Sequence, residues 1–135
     1  MLKYKLIERG NPRDLAAPKK YYATPVVTGK KDIRSLSIDI ADISSLSRGD
    51  INNVITNLVE RIPKELLQGN SVSLGELGTL RMGFSSDGVD TEADFNTSKI
   101  NGLKVIFTPG KLIKDEISKA QFSKASSDSL EPGER

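Results

Sequence analysis

The 135-residue chain contains no cysteine and no histidine. The first absence excludes disulfides and thiol chemistry. The second removes the commonest general base and the commonest transition-metal ligand. Tryptophan is missing as well, and aromatic residues make up only 5% of the chain. No apolar run approaches the roughly 20 residues that a helix needs to span a bilayer. The opening MLKYKLIERG alternates charged and apolar residues, unlike a signal peptide. There is no glycine loop of the phosphate-cradling kind, and no Ser/His or Cys/His pair. The expectation is a cytoplasmic protein without membrane partner, small-molecule substrate or cofactor, and not an enzyme.

What is present is charge, unevenly placed. Charged residues make up 28% and the net charge is +2. Residues 1–35 hold nine Lys/Arg against three acids, a net of +6. Residues 36–69 come to −2, 70–100 to −3, 101–120 to +2 and 121–135 to −1. An anionic partner should therefore meet the N-terminal segment or residues 101–120, although surface lysines often serve solubility alone. The length suits one domain with a modest core and a small appended element.

Periodicity orders the elements. KYKLIER, residues 3–9, and KKYYATPVV, residues 19–27, read as strands separated by Gly10, Pro12 and Pro18. Pro25 confines the second to a sheet edge or cuts it short. Asp32 suits a helix N-cap, and Ile33, Leu36, Ile40 and Ile43 then share one helical face. Ser47 caps a second helix with Asp50 at its positive end. Its apolar stripe runs Ile51, Val54, Ile55, Leu58, Val59, Ile62 and Leu66. Pro63 predicts a kink or break near 59–63, and Gly69 a left-handed stop. INGLKVIF, residues 100–107, is a strong strand signal. TPGKLIKDEISKAQF reads as a helix capped by Thr108 with Pro109 in its first turn, burying Leu112, Ile113 and Ile117. SKASSDSLEPGER reads as a frayed tail.

The segment VSLGELGTLRMGF, residues 72–84, alternates like a strand yet carries Gly75, Gly78 and Gly83. Glycine weakens a strand by roughly 0.5–1 kcal/mol relative to alanine, so a bend or a close backbone approach is expected there. Val72, Leu74, Leu77 and Leu80 are its candidate core residues.

Three local motifs, in this order, resemble the bacterial histone-like HU/IHF family. ISSLSRGDINNVI resembles its helix–turn–helix junction. LLQGNSVSLGELGTL resembles its helix exit, first strand and glycine turn, with Gly69, Val72, Leu74, Gly78 and Thr79 in matching places and Leu77 and Leu80 where phenylalanines are usual. VIFTPGKLIKDEI resembles its closing strand and last helix. Residues 1–31 are similar to the extension of a divergent HU-related branch found in Bacteroidetes. The resemblance implies an α+β HU/IHF-like fold over residues 32–120: two N-terminal helices, a three-stranded antiparallel sheet with an arm, and a C-terminal helix. A two-stranded extension, 1–31, would precede it and a polar tail, 121–135, would follow. It also implies a homodimer in which Gly78-Thr79 turns one strand into the next and Gly75 and Gly78 pack against a partner subunit. A glycine-bulged hairpin in a monomer is the other reading of those glycines.

The implied function is architectural, non-sequence-specific binding of double-stranded DNA in the bacterial nucleoid. Family members bend DNA from the minor groove with wedging side chains. The arm here departs from that pattern. FSSDGVDTEADFNTSK has Asp87, Asp90, Glu92 and Asp94, no Lys or Arg between 85 and 98, and no proline. Four carboxylates oppose the close approach of phosphates spaced at one charge per ~1.7 Å of duplex. Phe95 is expected to pack the arm base rather than wedge. The candidate DNA-binding residues are Arg81, Lys99, Lys104, Lys111, Lys114, Lys119, Lys19 and Lys20. The carboxylate run lacks the EF-hand pattern, and no metal site is expected. Two other readings stand beside this one: an HU-fold structural or protein-interaction module that has lost DNA, and single-stranded or RNA binding through Tyr21 and Tyr22. The latter requires exposed rings, whereas packing on the core is the expected role of both tyrosines.

Overall fold

Asp32 and Ser47 each start a helix by the same device, a side-chain oxygen accepting from a backbone N–H three residues on. In the computed structural model, which describes residues 1–126, Asp32 accepts from the Ser35 amide at 2.8 Å and Ser47 from the Asp50 amide at 3.1 Å. Helix α1 spans Ile33–Asp42 and α2 spans Arg48–Leu67. Within α1 the buried Ser37 returns its hydroxyl to the Ile33 carbonyl at 2.7 Å.

Of the kink or break expected near Pro63, the break does not occur: α2 is continuous through it to Leu67. Proline removes one hydrogen bond, to the carbonyl four residues back, and the following turn is held in other ways. Arg61 pairs with Glu65 at 2.5 Å. The Gly69 and Asn70 amides donate to the Leu66 and Glu65 carbonyls at 3.0 and 3.2 Å. With Gly69 at φ 89° this is a Schellman closure. The Asn70 side chain also donates to Glu65 at 2.9 Å. That hydrogen bond first, and Arg61 second, hold the Glu65 carboxyl below the usual range.

Strands β3 (Val72–Ser73), β4 (Gly78–Ser86) and β5 (Ile100–Pro109) form an antiparallel sheet in the order β3-β4-β5. A 3₁₀ turn, Gly75–Leu77, joins the first two. Gly78 lies at φ 151°, and a Cβ there would meet the Thr108 carbonyl and the Phe107 ring, each at 2.5 Å. The close approach predicted from its glycine is therefore to strand β5 of the same chain. Gly83 stands where the β4–β5 register shifts, and a Cβ on it would come within 2.7 Å of Ile106 Cδ1.

The last helix starts later than Thr108 and Pro109 suggested. β5 runs through Pro109, Gly110 is the cap residue, and α3 is confined to Lys111–Ile117 with no side-chain cap. The cause lies in the sheet: Pro109 and Thr108 pair with Gly78 and Thr79 and so remain extended. Gly110 donates its amide to the Leu77 carbonyl at 2.9 Å, and a Cβ there would collide with the Glu76 carbonyl.

These elements make one compact unit, residues 32–118. The second unit comprises residues 1–31 with the chain from Lys119. Its strands are β1 (Leu2–Arg9), β2 (Lys20–Val26) and β6 (Phe122–Lys124) in the order β2-β1-β6. β1 pairs antiparallel with β2 from Lys3↔Val26 to Arg9↔Lys20, and parallel with β6 from Leu2↔Phe122 to Tyr4↔Lys124. The extension thus has three strands rather than two, and part of the expected tail supplies the third. Amides of Leu2 and Ala125 complete the parallel ladder on the carbonyls of Gln121 and Tyr4, at 2.8 and 2.9 Å. The rest of that tail, 127–135, lies outside the described residues.

Both units bury little. Among the described residues the buried hydrophobic side chains are Ile51 and Leu66 alone. Leu36, Val54, Leu58 and Val59, on the faces expected to form the core, are 45–62% exposed. Val72, Leu74 and Leu80 are half-buried and Leu77 is exposed.

Two outcomes test this description. Gly78→Ala and Gly110→Ala should each destabilise the chain by about 1–3 kcal/mol, the usual cost of overpacking, seen as a lower urea midpoint. Gly29→Ala, with open space at its Cβ, should stay within about 0.5 kcal/mol of the parent. Asn70→Ala should raise the Glu65 pKa toward the ordinary carboxylate range in an NMR titration. A carboxyl depressed on folding lends stability above its unfolded pKa that is lost as pH falls through the folded value, so this acid-side loss should shrink in the variant.

Candidate nucleic-acid interface

Residues two apart on a strand share a face, and residues paired across an antiparallel ladder point the same way. Arg81 pairs with Ile106, and Gly83 with Lys104. Thr79, Arg81, Lys104, Ile106 and Thr108 therefore occupy one face of the β4–β5 hairpin, and Leu80, Met82, Val105 and Phe107 the other. Arg81 and Lys104 are diagonal neighbours, a relation that sets backbones about 7–8 Å apart. Both are exposed, and neither has an ion-pair partner among the described residues. The sequences GTLRMGFSS and INGLKVIFTP contain no carboxylate, so nothing on these strands neutralises the pair.

The other candidates fall into separate groups. Lys111 and Lys114 lie three apart on α3, on adjacent turns of one side, and both are exposed. Their position follows from Gly110, whose contact with the Gly75–Leu77 turn fixes where α3 begins. Lys99 is half-buried at the end of the arm, just before β5, its carbonyl accepting from the Asp87 amide at 2.9 Å. Lys19, Lys20 and Lys119 belong to the other unit.

The arm joins β4 to β5 through residues 87–99 and contains two 3₁₀ turns, Glu92–Asp94 and Thr97–Lys99. Asp87, Asp90, Glu92 and Asp94 are all exposed. Asp87 accepts from the Asn101 amide group at 3.3 Å, which ties one end of the acidic segment to β5. Phe95 remains 41% exposed. Among the described residues no group of three or more acidic side chains converges as a metal site, and no helix is long and apolar enough to cross a membrane.

The tyrosines depart from expectation. Tyr21 is 68% and Tyr22 48% exposed, and strand alternation sends them to opposite faces of the β1–β2 sheet. Arg9 covers one side of Tyr22, its guanidinium carbon 5.9 Å from the ring centroid. The candidates drawn from the sequence omitted Lys3, Lys5 and Arg9 on β1. Their signal was the alternation of KYKLIER itself, which becomes a spatial grouping with Lys20 only once the strand register is known. They also omitted Arg34 and Arg48, which line a cavity of about 300 Å³ with Ser37 and Asn52 between α1 and α2.

The fold recurs in a crystal structure from Bacteroides vulgatus ATCC 8482, of a protein classed as a bacterial DNA-binding protein. The TM-score is 0.62 at 18% identity, covering 91% of this chain and 47% of the other, so this chain spans about half of that protein's length. No curated protein matches the sequence significantly. A family model matches residues 1–124, and thus draws on both units: it describes an HU domain fused to a wHTH, Ig or glycine-rich motif, and the chain belongs to that HU-related family.

Proposed function

We propose that the chain is an architectural, non-sequence-specific DNA-binding protein of the bacterial nucleoid, working as a homodimer and of the Bacteroidetes branch of its family. The observation that carries this reading is the Arg81–Lys104 pair: two cations without an ion-pair partner among the described residues, on one face of a hairpin whose strands carry no acid, in a chain of an HU-related family. Lys111 and Lys114 add charge on α3. Such groups bind by neutralising phosphates and releasing counterions. They position a protein on the duplex without reading base edges, and no chemical step is involved. The similarity to a protein classed as DNA-binding supports the same view.

The acidic arm alters how this would work. Exposed Asp87, Asp90, Glu92 and Asp94 are repelled by phosphate, so contact falls at the base of the hairpin and not along its tip. The same arm favours the second reading, a protein-interaction module that has lost DNA. The homodimer is inferred from the exposed apolar faces. Leu36, Ile40, Val54 and Leu58 are 38–62% exposed, and contiguous apolar surface of this kind marks an interface. A second copy of the chain would cover it.

Fluorescence anisotropy with a short duplex across a salt series tests the proposal. The logarithm of affinity should fall linearly with the logarithm of salt concentration. Arg81→Gln and Lys104→Gln should each reduce the slope by about 0.9, the contribution of one phosphate contact. A folded sample that fails to bind at low salt would leave the protein-interaction reading. Sedimentation equilibrium should return twice the 14.7 kDa mass of the chain, and a monomer at micromolar concentration would refute the dimer.

A further inference from the structure

The small sheet of the second unit, β2-β1-β6, has two unlike faces. The pairing Lys3↔Val26, Lys5↔Thr24, Ile7↔Tyr22 and Arg9↔Lys20 places Lys3, Lys5, Arg9 and Lys20 on one side with Ile7, Tyr22, Thr24 and Val26; on this side Lys5, Arg9 and Lys20 are exposed, and Lys3, Ile7, Thr24 and Val26 are half-buried. The other side carries Leu2, Tyr4, Leu6, Ala23, Pro25 and Phe122. Two open cavities lie on this sheet. One of about 490 Å³ is lined by Leu2, Tyr4, Ala23, Pro25 and Phe122 together with Lys3 and Thr24, while one of about 640 Å³ is lined by Arg9, Lys20 and Tyr22 with Pro12 and Pro18 of the connecting loop.

The basic face is uncompensated. Glu8, the one acid on these strands, points to the apolar side by alternation, and Asp14 of the loop turns its carboxylate to the Ala16 amide at 3.1 Å. Lys3, Lys5, Arg9 and Lys20 form no ion pair among the described residues. Arg9 lies over the Tyr22 ring instead, its guanidinium carbon 5.9 Å from the centroid, and both line the larger cavity together with Lys20.

We infer that this face, Lys3, Lys5, Arg9 and Lys20 with Tyr22 beneath Arg9, is a second set of contacts for the DNA backbone, built by the appended sheet in addition to the Arg81–Lys104 pair. The inference rests on the DNA-binding reading above. Its geometry suits that partner. Positions two apart on a strand are separated by about 6.6–6.8 Å, so the row from Lys3 to Arg9 extends about 20 Å. A duplex carries one charge per ~1.7 Å, and a row of that length spans several phosphates. The contacts are to phosphate only, so this surface adds affinity and salt dependence without sequence preference.

The test compares full-length variants on one duplex across a salt series. Changing Lys3, Lys5, Arg9 and Lys20 together to Gln should lower the magnitude of the salt slope by roughly 3–4, at about 0.9 per contact. Lys124→Gln, on the apolar side, should leave it unchanged. Circular dichroism and the melting midpoint check folding. If the quadruple variant melts early, single Lys5→Gln and Lys20→Gln changes decide, each expected to lower the slope by about 0.9. Parental binding with an unchanged slope in the extension variants overturns this inference and leaves the hairpin site standing. Loss in the extension variants, with none in Arg81→Gln and Lys104→Gln, supports it and removes the hairpin site. Absence of parental binding at low salt overturns both.

Discussion

The backbone of Gly110 lies against that of Glu76 and Leu77 more closely than any side chain at position 110 would allow. Three elements meet at this contact: the turn between β3 and β4, the end of β5 and the start of α3. Gly78 makes a matching approach to Phe107 and Thr108 one step away. The two glycines let the hairpin close tightly onto its own turn, and the single hydrogen bond from Gly110 to Leu77 then sets where α3 begins. The cations of the unit take their places from this closure. Arg81 and Lys104 become diagonal neighbours through the register that it anchors, and Lys111 follows directly from the cap.

The second governing condition is how little the chain buries. Ile51 and Leu66 alone are buried hydrophobic residues among those described, far fewer than a self-sufficient domain of this length would provide. The stripes of α1 and α2 have the right period, but much of their apolar surface stays exposed among the described residues. The appended sheet repeats the theme on a smaller scale, with an apolar face opposite its basic one. Three-stranded sheets gain independent stability from a covered apolar face, and here that face is largely open.

Local signals in the sequence were legible. Asp32, Ser47 and Gly69 act at the helix ends where their chemistry placed them, because capping is decided within four residues. Long-range pairing defeated the same reading elsewhere. Thr108 and Pro109 have the chemistry of a helix start, yet pairing with Gly78 and Thr79 keeps them extended. β6 has three residues with one hydrophobic among them, too short to show a period, and exists because β1 offers it an edge. Pro63 follows the general cost of an interior proline, but the Schellman closure and the Arg61–Glu65 pair hold the helix after it. The site divides along the same line. Residue types and overall charge were visible early, whereas the grouping of Arg81 with Lys104, and of Lys5 with Lys20, depends on strand register.

The parallel pairing of β1 with β6 also orders events in time. Leu2 meets Phe122 only after the whole of residues 32–118 has been made, so the contact closes a loop of about 120 residues, among the slowest kinds of contact to form. During synthesis the helices and hairpin have all their sequence available before the sheet of the second unit can add its third strand. Among the described elements that sheet is therefore the last to be completed, and its β1 edge stays open to other strands until β6 arrives.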